Sequence, residues 1–257
     1  MIDGNKANNP AEGDEYSTIY IVNSEDIDIH DMKIIDAGYS AIHFGDHTKK
    51  LRVHDCVIDR PRWACILGWP SETAHAEDIE VRNNILTNSE KYGGLNIQYS
   101  RHVKVVGNIS YGHYYDPIYF EGGCFDLFVA YNYANAEGGI YQAIAGNSNE
   151  KVVIMGNICL NAMWDCLYFR GGNRYVVVGN ICQRPDIDKT GTYCCIRLEA
   201  EKAVIADNVC ITGDGAQYGI KTEGIGKMVV RGNYVDAYGS TGAIHNAASQ
   251  DLSLIHI

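Results

Sequence analysis

Two segments of the chain carry the same set of side chains, and it is a set that can move protons. HYYDPIYFEGG (113–123) and MWDCLYFRGG (163–172) both read aromatic, Asp, small residue, apolar, Tyr, Phe, charged residue, Gly, Gly. Asp116 and Asp165 hold the matching acidic position, and Glu121 takes the charged position of the first segment. Two carboxyl groups on either side of a glycosidic bond can serve as general acid and general base, set about 6.5–9.5 Å apart when a water must fit between them. The competing reading is local: each aspartate caps a turn by bonding its own backbone.

Two further sets are weaker. Glu199 and Glu223 sit at equivalent places and would suit the shorter spacing of a retaining pair, about 5 Å. Arg197 and Lys221 stand two residues before them, and Arg170 precedes Glu199 in the same column, so a surface charge ladder accounts for the group. HFGDH (43–47) offers His43, Asp46 and His47 as metal-ligand types, but at a strand exit they need not converge, and no metal site is expected there.

The elements that must position these residues are legible in a repeat. Asparagine recurs at Asn84, Asn108, Asn132, Asn157, Asn180, Asn208 and Asn233, at spacings of 24, 24, 25, 23, 28 and 25 residues. Each follows a short β-type run and precedes an apolar residue, as in VVIMGNIC (152–159), YVVVGNIC (175–182) and VVRGNYV (229–235). A fixed period of this length built from strand and turn marks stacked rungs. An amide on every rung can bond the amides above and below it, which satisfies a polar side chain buried in a turn. The fold expected is all-β: a single-domain right-handed parallel β-helix of about ten rungs with an internal asparagine ladder.

A second column fixes the register. Ile19, Ile42, Ile66, Leu95, Ile118, Ile140, Leu167, Ile196, Ile220 and Ile244 each open a short strand, and the residue two places on should also point inward. On this reading Gln142 points inward, and Tyr141 joins Tyr20, His43, Leu67, Asn96, Tyr119, Tyr168, Arg197 and Lys221 in an outward column. The next outward column contains Trp69, Gln98, Glu121, Ala143, Arg170, Glu199 and Glu223. Three places before the first column lie Tyr16, Tyr39, Trp63, Tyr92, Tyr115, Trp164 and Tyr193, a ring column expected to be broken at Glu137 and to stack at a corner.

Asp116 and Asp165 fall in one column two rungs apart, so their backbones should lie roughly 9–10 Å apart. Around them the outward strip offers Tyr119, Tyr141, Tyr168 and Trp69 as apolar faces for sugar rings. Asn96, Arg170 and Arg197 can take hydroxyl groups. The long rungs WPSETAHAED (69–78) and RPDIDKTGTY (184–193) are expected to wall the strip from opposite flanks. Its natural ligand would be a polysaccharide or oligosaccharide.

Composition excludes some classes. The formal net charge of −11 argues against nucleic acid, which needs a basic stripe. No apolar run approaches the ~20 residues that span a bilayer. Of nine cysteines, Cys159, Cys182 and Cys210 fall in one inward column, and Cys65, Cys166 and Cys195 stand just before the first apolar residue of their rungs; they are expected to be free core thiols, which leaves the compartment open. Met1 opens directly into IDGN, text already of β-helix type, so the natural start is expected upstream. LSLIHI (252–257) reads as translated library-adapter sequence. The β-helix is therefore expected over 1–251, cut inside its tenth rung, with a non-native tail at 252–257.

The IDGN opening and the V-x-G-N-x rung text resemble the pectin-lyase-like right-handed β-helix superfamily, which includes pectate lyases, polygalacturonases, alginate-active enzymes and β-helical glycosidases. The resemblance implies a polysaccharide-active protein in an extracellular or periplasmic setting. With the aspartate pair it makes a glycoside hydrolase the expected activity, and polysaccharide lyase or a non-catalytic glycan-binding solenoid such as a phage tail-spike or adhesin segment the alternatives. A hydrolase needs no cofactor, whereas a lyase would call for Ca²⁺ to neutralise a uronate. The paired-aspartate, His-Gly and Arg-x-Lys motifs of polygalacturonases are absent. Tyr115-Asp116-Pro117 resembles the Tyr-Asp-Pro-His stretch of mannuronan epimerases, with Ile118 in the place of the histidine. The text from Asp116 to Glu121 is similar to a segment of β-helical xylosidases.

Overall fold

A computed structural model describes residues 1–8, 13, 16–224, 226–237 and 239–246. The proposed non-native tail at 252–257 lies outside the described residues. Among the described residues twenty-nine short strands form three parallel sheets, two of ten strands and one of nine, and each strand pairs with its counterparts one rung before and after. The first sheet runs from Ile2–Asp3 to Tyr234–Asp236, the second from Ile19–Ile21 to Gly242–Asn246, and the third from Glu25–His30 to Lys227–Arg231. The expected single-domain β-solenoid is what the chain forms, and no described helix is long and apolar enough to cross a membrane.

The third sheet passes into the first through a tight corner that holds the asparagine ladder. From Asn108 onward each ladder Oδ1 accepts two bonds from the preceding asparagine, one from its backbone N–H and one from its Nδ2. At Asn157 both come from Asn132 at 2.9 Å, and at Asn180 both come from Asn157 at 3.0 Å. The Nδ2 also donates to a strand carbonyl, Val129 O for Asn157 at 3.0 Å. The ladder runs unbroken from Asn84 to Asn233, and the Cys56 N–H joins it below at 3.0 Å. Glycine precedes several of these asparagines because the corner needs a left-handed backbone, with φ of 63° at Gly156 and 65° at Gly179.

The inner faces meet in one core of Ile, Val, Leu, Phe and Cys; all nine cysteines are free and buried, and all but Cys194 lie in that core. Along the axis of the second sheet the inward column is mostly large, and glycine at two rungs makes room for a neighbouring phenylalanine. A methyl group on Gly68 would stand 2.2 Å from the Phe44 ring, and one on Gly146 would stand 2.5 Å from the Phe169 ring and from Asn149 Nδ2. Replacing Gly146 with Ala therefore overpacks the core, and urea unfolding should register a loss of about 1–3 kcal/mol. Adding Phe169→Leu should restore part of it.

One rung departs from the expected register. Ile118 pairs with Ile144, and Ile144 with Leu167, so the strand opens at Ile144 rather than Ile140. The corner before it contains an exposed turn at Glu137 and Gly138, which lengthens the rung and lets Ile140 imitate a strand start. The inward place falls to Gly146 instead of Gln142, and the outward places fall to Ala145 and Asn147 instead of Tyr141 and Ala143. Tyr141 moves to the corner, where it fills the gap expected at Glu137. Rings then run without interruption through Tyr39, Trp63, Tyr92, Tyr115, Tyr141, Trp164 and Tyr193, with centroids 4.2–5.5 Å apart.

Candidate functional site

The outward face of the second sheet meets this ring column at an angle, and the two enclose a cleft of about 330 Å³. Tyr92, Tyr115, Tyr141 and Trp164 form its wall. Asn96, Tyr119, Glu121, Asn147, Tyr168 and Arg170 form its floor, and Asp116 and Gln142 lie at the junction. The column thus stacks at a corner and also presents ring surface to the cleft. Of the residues expected to act together, the fold gathers Asp116, Glu121, Asn96, Tyr119, Tyr141, Tyr168 and Arg170.

Asp116 and Asp165 share a column two rungs apart, yet they have different surroundings. Each accepts the backbone N–H at the equivalent place of the following rung: Gln142 to Asp116 Oδ1 at 2.6 Å, and Cys194 to Asp165 Oδ1 at 2.7 Å. The capping role is real, but it runs between rungs. Asp116 also borders the cleft, whereas Asp165 is 1% exposed and does not line it. Burial pushes both carboxyl groups up against those hydrogen bonds, Asp116 to about 8 and Asp165 to about 7. Asp116 is therefore mostly protonated at neutral pH, the state a general acid requires.

Both shifts carry a stability consequence with a defined sign. A carboxyl group whose folded pKa lies above its unfolded value of 3.8 stabilises the fold fully below that value, and its contribution is lost as pH rises to about 7–8. Thermal unfolding should show the wild-type Tm falling from pH 5 to pH 8. Asp165→Asn keeps a carbonyl acceptor for Cys194 and has nothing to ionise, so it should flatten part of that fall, on the order of a few kcal/mol.

Around the acid, Asn96 Nδ2 donates to the Tyr92 hydroxyl at 3.0 Å, and the Tyr168 hydroxyl donates to Glu199 Oε1 at 3.0 Å. Burial pushes the phenols of Tyr92, Tyr119 and Tyr168 up, and Glu121 pushes Tyr92 and Tyr119 further, so these groups stay neutral hydrogen-bonding groups. His113 opens the motif but serves the corner. It is buried, with its ring nitrogens 2.8 and 3.0 Å from the Ser89 and Ser110 hydroxyls, and desolvation pulls its pKa down to about 3.

Two expected contributors stand elsewhere. Trp69 borders a second cleft with Tyr20, His43, Asp46, Pro70 and Gln98, because its rung lies two strands away from that of Glu121. Arg197 is held in an ion network, 2.8 Å from Glu223 and 3.2 Å from Glu199, which Lys221 joins through Glu223 at 2.8 Å. The 69–78 loop walls the second cleft, through Trp69, Pro70 and Ser71, and does not reach the first. The 184–193 loop folds on itself instead, with the Asp186 carboxylate accepting the N–H groups of Thr190, Thr192 and Tyr193 at 2.8–3.3 Å. His43 is buried, and Asp46 accepts the Ser71 N–H at 2.6 Å. Among the described residues no three His, Cys, Asp or Glu side chains are grouped to hold a metal. Gln142 and Asn147 were not expected in the site, and only the corrected register brings them there.

No protein-family model matches the chain, and no curated protein matches it in sequence. Solved structures do match. The A-module of the Azotobacter vinelandii mannuronan C-5 epimerase AlgE4 matches 88% of the chain at 12% identity with a TM-score of 0.75. DFA-IIIase from Arthrobacter chlorophenolicus A6, in complex with GF2, matches 79% at 13% identity with a TM-score of 0.60. The enzymatically active domain of bacteriophage CBA120 tailspike protein 2 matches 87% at 12% identity with a TM-score of 0.57. The chain spans 65%, 54% and 38% of those three chains respectively. The likeness establishes the architecture: this chain has the right-handed parallel β-helix fold that those carbohydrate-active proteins share.

Proposed function

We propose that the protein is a glycan-active enzyme, a glycoside hydrolase that binds an extended sugar chain in the cleft between the ring column and the second sheet. The observation that carries this reading is a buried Asp116, its carboxyl pushed up to about 8 by burial, lining the same ring-walled cleft as Glu121. Asp116 would protonate the leaving glycosidic oxygen, and Glu121 would steer a water or stabilise the developing cation. Tyr92, Tyr115, Tyr141 and Trp164 offer faces for sugar C–H groups, while Asn96, Gln142, Asn147 and Arg170 take hydroxyls. The named relatives support a carbohydrate ligand, and a further similar structure, a periplasmic alginate epimerase matched at 10% identity with a TM-score of 0.62, supports action outside the cytoplasm.

A lyase or epimerase reading draws on the AlgE4 likeness and on the Tyr115-Asp116-Pro117 text. Product analysis separates the two. Hydrolysis yields saturated reducing ends, elimination leaves an ultraviolet-absorbing double bond, and epimerisation changes the sugar without cutting the chain. Glycan binding with no conversion would assign the cleft to a non-catalytic solenoid.

A further inference from the structure

The outward strip on which the cleft is built lacks positive charge over most of its length. From the strand Ile19–Ile21 to the strand Ile144–Asn147, six consecutive rungs, no outward position holds a lysine or arginine. Those positions hold rings, aliphatic or small residues, the amides of Asn96, Gln98 and Asn147, the buried His43, and one carboxylate, Glu121. Among the described residues lining the cleft, Arg170 is the sole Lys or Arg, and it stands at one rim with its Nε 3.8 Å from Glu199. The cations beyond that rim, Arg197 and Lys221, are already matched by Glu199 and Glu223.

Resting on the glycan reading above, we propose that the cleft takes uncharged oligosaccharides and excludes polyuronates. A polyuronate presents a carboxylate on every sugar. Apart from one that could reach Arg170 at the rim, each would give up its hydration in a cleft that holds Glu121 and no further Lys or Arg among its described lining residues, and charge removed from water without a partner is strongly disfavoured. The residues that are present suit hydroxyl groups instead. A carboxamide both donates and accepts, as a sugar hydroxyl does, so Asn96, Asn147 and Gln142 can each engage a hydroxyl in either sense. The phenols are held neutral by burial and add further donors. The rings of the wall cover the apolar sugar faces without regard to charge.

The test is a binding panel on the full chain, read by calorimetry and by saturation-transfer NMR. It comprises hexamers of the neutral fructo-, xylo-, manno- and gluco- series and hexamers of mannuronate and galacturonate, each run with added calcium and with chelator. Binding should be confined to the neutral series, at least tenfold tighter than to any uronate, and should change less than twofold between low and high salt. Asn147→Lys, which adds one cation to the floor, should narrow that gap severalfold. A uronate that binds as tightly as the best neutral hexamer, and that salt or Arg170→Gln releases, overturns the selectivity while leaving the glycan reading in place. Failure of every hexamer to bind overturns the glycan reading, and the selectivity falls with it.

Discussion

Replacing Asp116 with Asn should lower kcat about 10²–10⁴-fold, the usual contribution of a positioned general acid, while leaving the fold intact. The asparagine still offers a carbonyl to the Gln142 N–H, the one side-chain bond that ties Asp116 to the next rung, so the corner keeps its geometry. What disappears is the proton that burial retains on the acid up to about pH 8. Wild-type turnover should accordingly decline as pH rises through about 8, as the acid form is lost. Asp165→Asn is the internal control. It alters the same motif position, and should change kcat less than threefold because Asp165 does not border the cleft. Equal losses in both variants would show that the column supports the scaffold and nothing more.

The largest effect on stability is expected at the ladder. Asn157→Ala removes the acceptor for two buried donors, the Asn132 backbone N–H and its Nδ2, and takes a donor from Val129 O and Asn180 Oδ1. A buried donor left unmade costs about 1–3 kcal/mol, so the substitution should cost about 3–5 kcal/mol in urea unfolding. Asn157→Asp is the sharper probe. It restores the acceptor but cannot donate, and it sets a carboxylate oxygen against the Val129 carbonyl and Asn180 Oδ1. It should be about as damaging as alanine. A loss below about 1 kcal/mol in either variant would mean that the corner closes without its amides.

The parts of this fold that were legible in the sequence are those where one physical demand recurs on every rung. A buried amide has to find partners above and below, and so Asn84 through Asn233 declare the corner and the direction of stacking. The rung at Ile144 was misread because a longer corner places Ile140 and Gln142 at the spacing of a strand, and periodicity cannot distinguish an apolar residue in a turn from one in a sheet. That slip hid Asn147 and Gln142 from the site and put Tyr141 on the wrong face. The fates of Asp116 and Asp165 were not legible either, because their immediate text is alike. They diverge through distant contacts. The 184–193 loop packs against the Asp165 corner, with the Asp186 N–H bonded to the Trp164 carbonyl at 3.0 Å and Tyr193 stacked on Trp164, whereas the Asp116 corner stays open between its rings.

The central claim is that this cleft holds a sugar chain against Asp116, and a crystal of the Asp116→Asn variant soaked with the best-binding oligosaccharide tests it most directly. The expected result is a chain lying between the Tyr92–Trp164 ring wall and the Tyr119–Tyr168 floor, with a glycosidic oxygen within about 3 Å of the residue-116 side chain. Sugar bound only on another face, or bound in the cleft with no glycosidic oxygen within reach of that side chain, would contradict it.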